Sequence, residues 1–271
     1  MERADLHMHT TASDGTYTPE DLVRFAKAKG LAAIAITDHD VTDGVEEGMR
    51  IGREIGLEVL AGVEINTDHG ETEIHVLGYG MDLADPGLVK TMDWLREGRV
   101  ERARAMVEKL NALGYPLSWE RVLEIAGPGA IGRPHIAEAL IEAGHVASRR
   151  QAFEKFLAND GPAYAPRARF NAVDAIRLIR GAGGVPVAAH PAKIKDDSLL
   201  PGLVDQGLGG LEAYHSDHTP EQAEHYVRMA DTLGVLWTGG SDFHGSMESR
   251  PLGGVTVPYT QVEAIKARAR A

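Results

Sequence analysis

Short apolar runs alternate with amphipathic stretches through the first third of the chain. Arg3 to Met8 reads as a strand, and Thr18-Pro19-Glu20-Asp21 follows with the marks of a helix start. Threonine can cap the free N–H groups, proline tolerates the first helical position, and acids suit the first turn. That helix is predicted to run to about Lys29 and to stop at Gly30. Ala32 to Thr37 is apolar on both alternating sets of positions, which predicts a parallel strand buried on both faces. Asp43 opens a second helix. Leu57 to Ile65 and Glu73 to Tyr79 read as strands joined through a turn at Asp68-His69-Gly70.

The period then changes. Leu88, Met92, Leu95, Val100, Met106, Val107 and Leu110 recur at helical spacing, and shorter helices are signalled near Ser118, Pro134 and Ser148. Alternation resumes after Asn171, with a helix ending at Gly183-Gly184 and a strand Val185–Ala189 that delivers His190. Two more strands, Gly210–Tyr214 and Val235–Thr238, flank a helix from Pro220 to Leu233. Strand–helix alternation interrupted by helices alone predicts an α/β fold, a distorted (β/α)7 TIM-like barrel with an inserted all-helical subdomain. The barrel is assigned residues 1–84 and 160–271, and the insert, residues 85–159, is expected to cap the active site.

Composition narrows this picture in three ways. A length of 271 residues suits one barrel with an insertion. The absence of cysteine excludes disulfides, thiol nucleophiles and cysteine-based zinc sites. A formal net charge of −12 argues against long duplex nucleic acid as a partner. No apolar run is long enough for a membrane span and no basic apolar leader opens the sequence, so a soluble cytoplasmic protein is expected, with no membrane association and no obligate protein partner.

The candidate chemistry lies in nine residues, most of them in or just after the strand-like runs: His7, His9, Asp14, His39, Glu64, His75, His190, Asp242 and His244. His7 and His9 flank one residue of an extended segment, so both imidazoles project from the same side. The carboxyl ends of barrel strands gather at one face, where the active sites of such folds lie. Imidazole and carboxylate together suit manganese, iron or zinc, and nine ligands can hold more than one ion.

Seven of these residues fall in Ala4-Asp5-Leu6-His7-Met8-His9, Thr37-Asp38-His39, Gly62-Val63-Glu64-Ile65, Ala189-His190-Pro191 and Gly240-Ser241-Asp242-Phe243-His244. As a set they resemble the PHP (polymerase and histidinol phosphatase) phosphoesterase family, and the resemblance extends to about Leu252. It implies two or three divalent ions. His7, His9, Glu64 and Asp242 would hold one; Glu64 would bridge to a second held by His75 and His190; Asp14, His39 and His244 would hold a third. The segments Gly132-Arg133-Pro134-His135-Ile136-Ala137 and Pro162-Ala163-Tyr164-Ala165-Pro166-Arg167 resemble the branch containing nucleoside 3′,5′-bisphosphate phosphatases and 5′→3′ exoribonucleases.

Charge supports a phosphate ester independently. Three divalent ions set against three carboxylates and a bridging hydroxide leave the site near about +2, attractive to a phosphate dianion. A hydroxide bridging two ions is the expected nucleophile, since neither Gly-x-Ser-x-Gly nor a P-loop occurs. Glu64 and Asp242 are therefore the expected catalytic carboxylates. His218 is a candidate leaving-group proton donor or phosphate contact, or an ordinary loop histidine. Arg133 and His135, at a helix start, are the candidates for a second phosphate; Arg133 also reads as a solvated surface arginine. Arg167 and Lys193 are further candidates for substrate contact.

The expected reaction is removal of the 3′-phosphate from a nucleoside 3′,5′-bisphosphate, such as adenosine 3′,5′-bisphosphate, giving the 5′-mononucleotide. The alternatives are 5′→3′ degradation of short 5′-phosphorylated RNA, hydrolysis of histidinol phosphate, and a non-catalytic metal-binding regulatory module.

Overall fold

The computed structural model describes residues 2–269. They pack as two compact units, one built from residues before 92 and after 168, the other from Met92–Ala168.

The first unit is a barrel. Its strands are β1 (Arg3–Asp5), β2 (Ala33–Ile36), β3 (Glu58–His69), β4 (Thr72–Tyr79), β5 (Val185–Ala188), β6 (Gly210–His215), β7 (Leu236–Gly240) and β8 (Val257–Pro258). They form one sheet in the order β7-β6-β5-β4-β3-β2-β1-β8. Neighbours run parallel except β4, which is antiparallel to both β3 and β5, and the short β8, antiparallel to β1. The sheet nearly closes on itself: the Leu6 N–H donates to Gly239 O at 3.2 Å, and the Asp242 N–H donates to His7 O at 2.8 Å. The seven strands expected from the sequence all form. β8 had no sequence signal, because two residues ending in proline cannot show an alternation.

Helices α1 (Pro19–Ala28) and α2 (Val45–Ile55) follow β1 and β2. Thr18 caps α1 through its side chain, and Pro19 occupies the first turn. Leu22, Val23 and Ala26 of α1 and Val45 and Ile51 of α2 pack with Ile34 and Ile36 of β2. Ala33 and Ala35, on the other face of β2, pack with Ala4, Leu6, Leu77 and Val187. Burial on both faces is what the continuous apolar run required.

The second unit is entirely helical apart from loops. α3 (Pro86–Ala112) is 27 residues long, and α4 (Trp119–Ala126), α5 (Arg133–Glu142) and α6 (Arg149–Ala152) follow, with one π-helical turn at Phe153–Leu157. Its core is Met106, Leu110, Val122, Ile136, Leu140, Phe156 and Leu157 with smaller neighbours. The insert boundaries differ from the expected 85 and 159. α3 begins at Pro86 but passes through the division between the units without a break. The exit segment also stays with the helices: Ala163 and Ala165 join their core, and Ala165 O accepts from Arg102 Nε at 2.9 Å.

Four helices complete the barrel unit: α7 (Ala172–Gly181), α8 (Leu199–Asp205), α9 (Pro220–Leu233) and α10 (Tyr259–Ala269). No helix among the described residues is long and apolar enough to cross a membrane.

Candidate metal centre

The nine residues chosen from sequence are brought together around Glu64. One carboxylate oxygen, Glu64 Oε2, is 3.1 Å from His7 Nε2, 3.3 Å from His9 Nε2 and 3.2 Å from His39 Nδ1. The other, Oε1, is 2.8 Å from His75 Nδ1 and 3.0 Å from His190 Nε2. A single buried carboxylate thus touches five imidazoles. Asp242 Oδ1 closes the near side, 3.4 Å from His7 Nε2 and 3.2 Å from His9 Nε2. Asp14 Oδ1 lies 3.3 Å from His244 Nε2 and 3.9 Å from His9 Nδ1.

Glu64 does not end its strand, as the apolar run suggested, whereas His75 lies inside β4, within the run read as a strand. Beyond Ala61, β3 no longer pairs with β2 and runs on beside β4 to His69, with isolated bridges from Glu64 to His39 and from Asp68 to Asn171. Glu64 and His75 both project from this β3–β4 hairpin, opposite Leu77 and Asn66. Two of the donors sit on unusual backbone: His190 has φ 29° and Asp242 φ 53°. Such left-handed conformations cost an ordinary residue about 1–3 kcal/mol and cluster at functional sites.

The electrostatics follow from crowding charges out of water. Burial opposes ionisation of Glu64, yet His39, His7 and His75 hold its carboxyl well below the usual carboxylate range. Asp242 is likewise held low against burial, by His7, His215 and His9. Burial pulls the His9 ring down, but Asp242, Glu64 and Asp14 push it up to about 10. Burial instead lowers the His190 pKa to about 4, so the cluster is not uniformly protonated, and a divalent cation would neutralise the carboxylates with fewer groups.

Five groups have one ligand atom from each residue within 4.8 Å of the others; three lie wholly among the nine, namely His7, His9, Glu64 and Asp242; His39, Glu64 and His75; and His9, Asp14, His39 and His244, while His7, Glu212 and His215, and His215, Asp217 and Asp242, make the other two. Both ring nitrogens of His9 are buried with no hydrogen-bond partner, although carboxylates surround them. A lone pair on Nε2 aimed at a cation, with the proton on Nδ1, fits the first of these groups, and the donor set fits manganese, iron or zinc.

Other residues hold the ligand-bearing loops in place. Asp38 accepts from the Thr10 N–H and hydroxyl, both at 2.7 Å, and from the Ser13 hydroxyl at 2.5 Å, fixing the loop that carries Asp14. Asp5, pushed up to about 6 by burial, accepts from the Ser241 N–H at 2.8 Å and the Gly253 N–H at 2.9 Å.

The substrate candidates scatter more widely. Lys193 Nζ is 3.0 Å from Asp217 and 3.9 Å from Asp242. Arg250, which the sequence reading passed over, binds Asp242 with one guanidinium nitrogen and Asp217 at 2.5 Å with another. A lone arginine in a loop carries no periodic signal. His218 donates from Nδ1 to Ala213 O at 2.8 Å, and burial lowers its pKa, so its ring is neutral. It contacts none of the nine, and its Nε2 presents an acceptor rather than a proton to give.

In the helical unit, Arg133 donates to Leu157 O at 3.2 Å and Asn159 Oδ1 at 2.9 Å, while its guanidinium lies over Phe153. His135 Nδ1 accepts from the Gly132 N–H at 3.0 Å, so one ring nitrogen is committed to starting α5. Arg102 is pushed down to about 10, first by burial and then by the charges of Arg133, Arg99 and Arg167. Arg167 therefore belongs to a group of arginines in this unit.

The pattern of the PHP domain matches residues 5–124. A 3′,5′-nucleoside bisphosphate phosphatase of Chromobacterium violaceum is 33% identical over 267 residues, covering 96% of this chain and 92% of that protein. A phosphoribosyl 1,2-cyclic phosphate 1,2-diphosphodiesterase of Eggerthella lenta is 32% identical, covering 94% and 98%. The 5′-3′ exoribonuclease Rnm of Salmonella typhimurium is 34% identical, covering 89% and 84%. A crystal structure from Bifidobacterium adolescentis, provisionally assigned as a metal-dependent phosphoesterase, superimposes with a TM-score of 0.92 at 36% identity, covering 98% and 96%. Similarity along nearly the whole length makes this chain a member of the PHP family and a metal-dependent phosphoric ester hydrolase.

Proposed function

We propose that the protein removes the 3′-phosphate from nucleoside 3′,5′-bisphosphates such as adenosine 3′,5′-bisphosphate. The observation that carries this reading is Glu64, one carboxylate within 3.3 Å of five imidazoles. Such a group can be shared between two ions. We assign His7, His9, Glu64 and Asp242 to one, Glu64, His75 and His190 to a second, and Asp14, His39 and His244 to a third, which His9 also approaches. Bound divalent ions would acidify water and neutralise the phosphate and the departing oxygen.

The chain's own residues bind and orient. Lys193 and Arg250 share Asp217, and a phosphate dianion competes with that carboxylate for both cations. The second phosphate calls for a second set of cations, and the helical unit gathers Arg99, Arg102, Arg133 and Arg167. His135 and Arg133 retain their assignment to that phosphate. His218 donates from Nδ1 to Ala213 O and its Nε2 is buried, which favours the ordinary loop histidine over a proton donor.

The likeness to an exoribonuclease supports a second reading, 5′→3′ removal of nucleotides from short RNA. Both reactions break an ester at a 3′ oxygen next to a 5′ phosphate. Phosphate release and chain shortening, measured across a 3′,5′-bisphosphate, 5′-phosphorylated short RNAs, a cyclic phosphate ester and histidinol phosphate, decide between them. The bisphosphate should have the highest kcat/KM, and a faster reaction on RNA overturns the first reading. Arg133→Ala should lower kcat/KM for the bisphosphate by about ten- to a hundredfold. It should leave a 3′-monophosphate nearly unaffected. Equal losses on both remove Arg133 from the second-phosphate role.

A further inference from the structure

We infer that β6, which supplies none of the nine ligand candidates, is the brace that aims three of them, through Glu212 and His215. The inference rests on reading His7, His190 and Asp242 as ligands. Glu212 is fully enclosed, and both its oxygens are used. Oε1 lies 2.8 Å from His7 Nδ1, and Oε2 accepts the His190 backbone N–H at 2.7 Å. An ionised carboxylate only accepts, so the His7 proton belongs on Nδ1 and Nε2 keeps its lone pair for a cation. That Nε2 is the nitrogen facing Glu64 and Asp242.

The second bond secures a strained peptide. His190 has φ 29° and ψ 58°, which an ordinary residue holds only when its surroundings enforce it. With its N–H fixed on Glu212, the His190 ring meets Glu64 at 3.0 Å. His215 treats Asp242 the same way. Its Nδ1 accepts from the Asp217 N–H at 3.0 Å, so Nε2 carries the proton and faces Asp242 Oδ2 at 3.2 Å. The other oxygen, Oδ1, is left toward His7 and His9.

A bulge makes this possible. Residues three apart on a regular strand face opposite sides. Here the pairing with β7 slips between Glu212 and Tyr214, so Glu212 faces Thr238 while His215 faces Gly240. The extra residue turns Glu212 and His215 to one side, the recurring use of a bulge beside an active site. Gly240 is needed opposite, because a Cβ there would come within 2.3 Å of the His7 backbone nitrogen.

Zinc affinity measured by chelator competition tests the brace. In Glu212→Gln the amide offers one accepting atom, so either His7 loses its tautomer or His190 loses its peptide bond partner. Zinc at the ions using His7 and His190 should bind about 10–100-fold more weakly. The ion using Asp14, His39 and His244 should be retained, and His215→Phe should weaken only the ion on Asp242. Unchanged affinities, with or without a lower melting temperature of the metal-free protein, overturn the brace and leave the metal reading intact. A wild-type protein that binds no zinc overturns both. Should Glu212→Gln fail to fold, the 15N spectrum of histidine-labelled, zinc-loaded wild-type protein decides. It should show His7 protonated at Nδ1 and bonded to zinc through Nε2, and the reverse tautomer overturns the brace.

Discussion

The barrel unit and the helical unit solve the problem of an interior in opposite ways. Every buried polar or charged side chain among the described residues belongs to the barrel unit, from Asp5 and His7 through Glu212 to Asp242. The helical unit has a wholly apolar core, and ion pairs such as Arg121 with Glu142 lie on its exposed surface. Burying charge costs several kcal/mol per group unless partners compensate. The barrel meets that cost with carboxylates, imidazoles and the ions they are built to hold. The helical unit keeps charge out of its apolar core, and its part-buried charge lies mainly on arginines such as Arg102. Chemistry and stability are therefore concentrated in different parts of the chain, and perturbations should separate them.

The largest effect should come from the centre of the barrel's charge cluster. Glu64→Gln removes the carboxylate shared by five imidazoles and should lower kcat on the order of a thousandfold or more, with KM changed little. Stopped assays of phosphate release at saturating metal check this, and an active variant would dissolve the contrast between the units. Removal of the ions themselves is next. Chelation should destabilise the barrel by about 4 kcal/mol for each ion held at a thousandfold above its Kd. In hydrogen exchange, peptides carrying His7, Glu64 and Asp242 should exchange faster, while peptides spanning Leu110 and Leu140 should keep their protection. Faster exchange throughout would show one cooperative unit.

A cavity in the apolar core should act in reverse. Leu140 is fully buried, and Leu140→Ala should cost about 2–5 kcal/mol while leaving zinc stoichiometry at two or three ions per chain. Thermal unfolding and elemental analysis together decide this, and loss of zinc would tie the helical core to the metal centre. The smallest effect belongs to the helical surface. Arg121→Ala should leave the melting temperature within about 2 °C, since exposed ion pairs contribute little. A larger fall would place part of this unit's stability in charge after all.

Much of this contrast was legible along the chain. Thr18-Pro19 marked the start of α1, the run Ala33–Ile36 announced a strand covered on both faces, and Leu88 to Leu110 announced a long helix. The nine donors stood out because histidine and carboxylate interrupt apolar runs where a core would tolerate neither without a partner. The hairpin beyond Ala61 did not stand out, since nothing local says that β3 outlives its pairing with β2. Arg250 was invisible for a similar reason: its partners Asp217 and Asp242 come from other segments.

By itself, then, the sequence determined which segments are strands and helices and which residue types could bind metal, because periodicity and side-chain chemistry are local properties. Only the tertiary structure decided what those residues face. Glu212 in the run Gly210–His215 looks like an isolated acid, and its role depends on a bulge against β7 and on the nearness of His7 and His190. Register, bulges and closure of the sheet arise between strands, so no single stretch of chain encodes them.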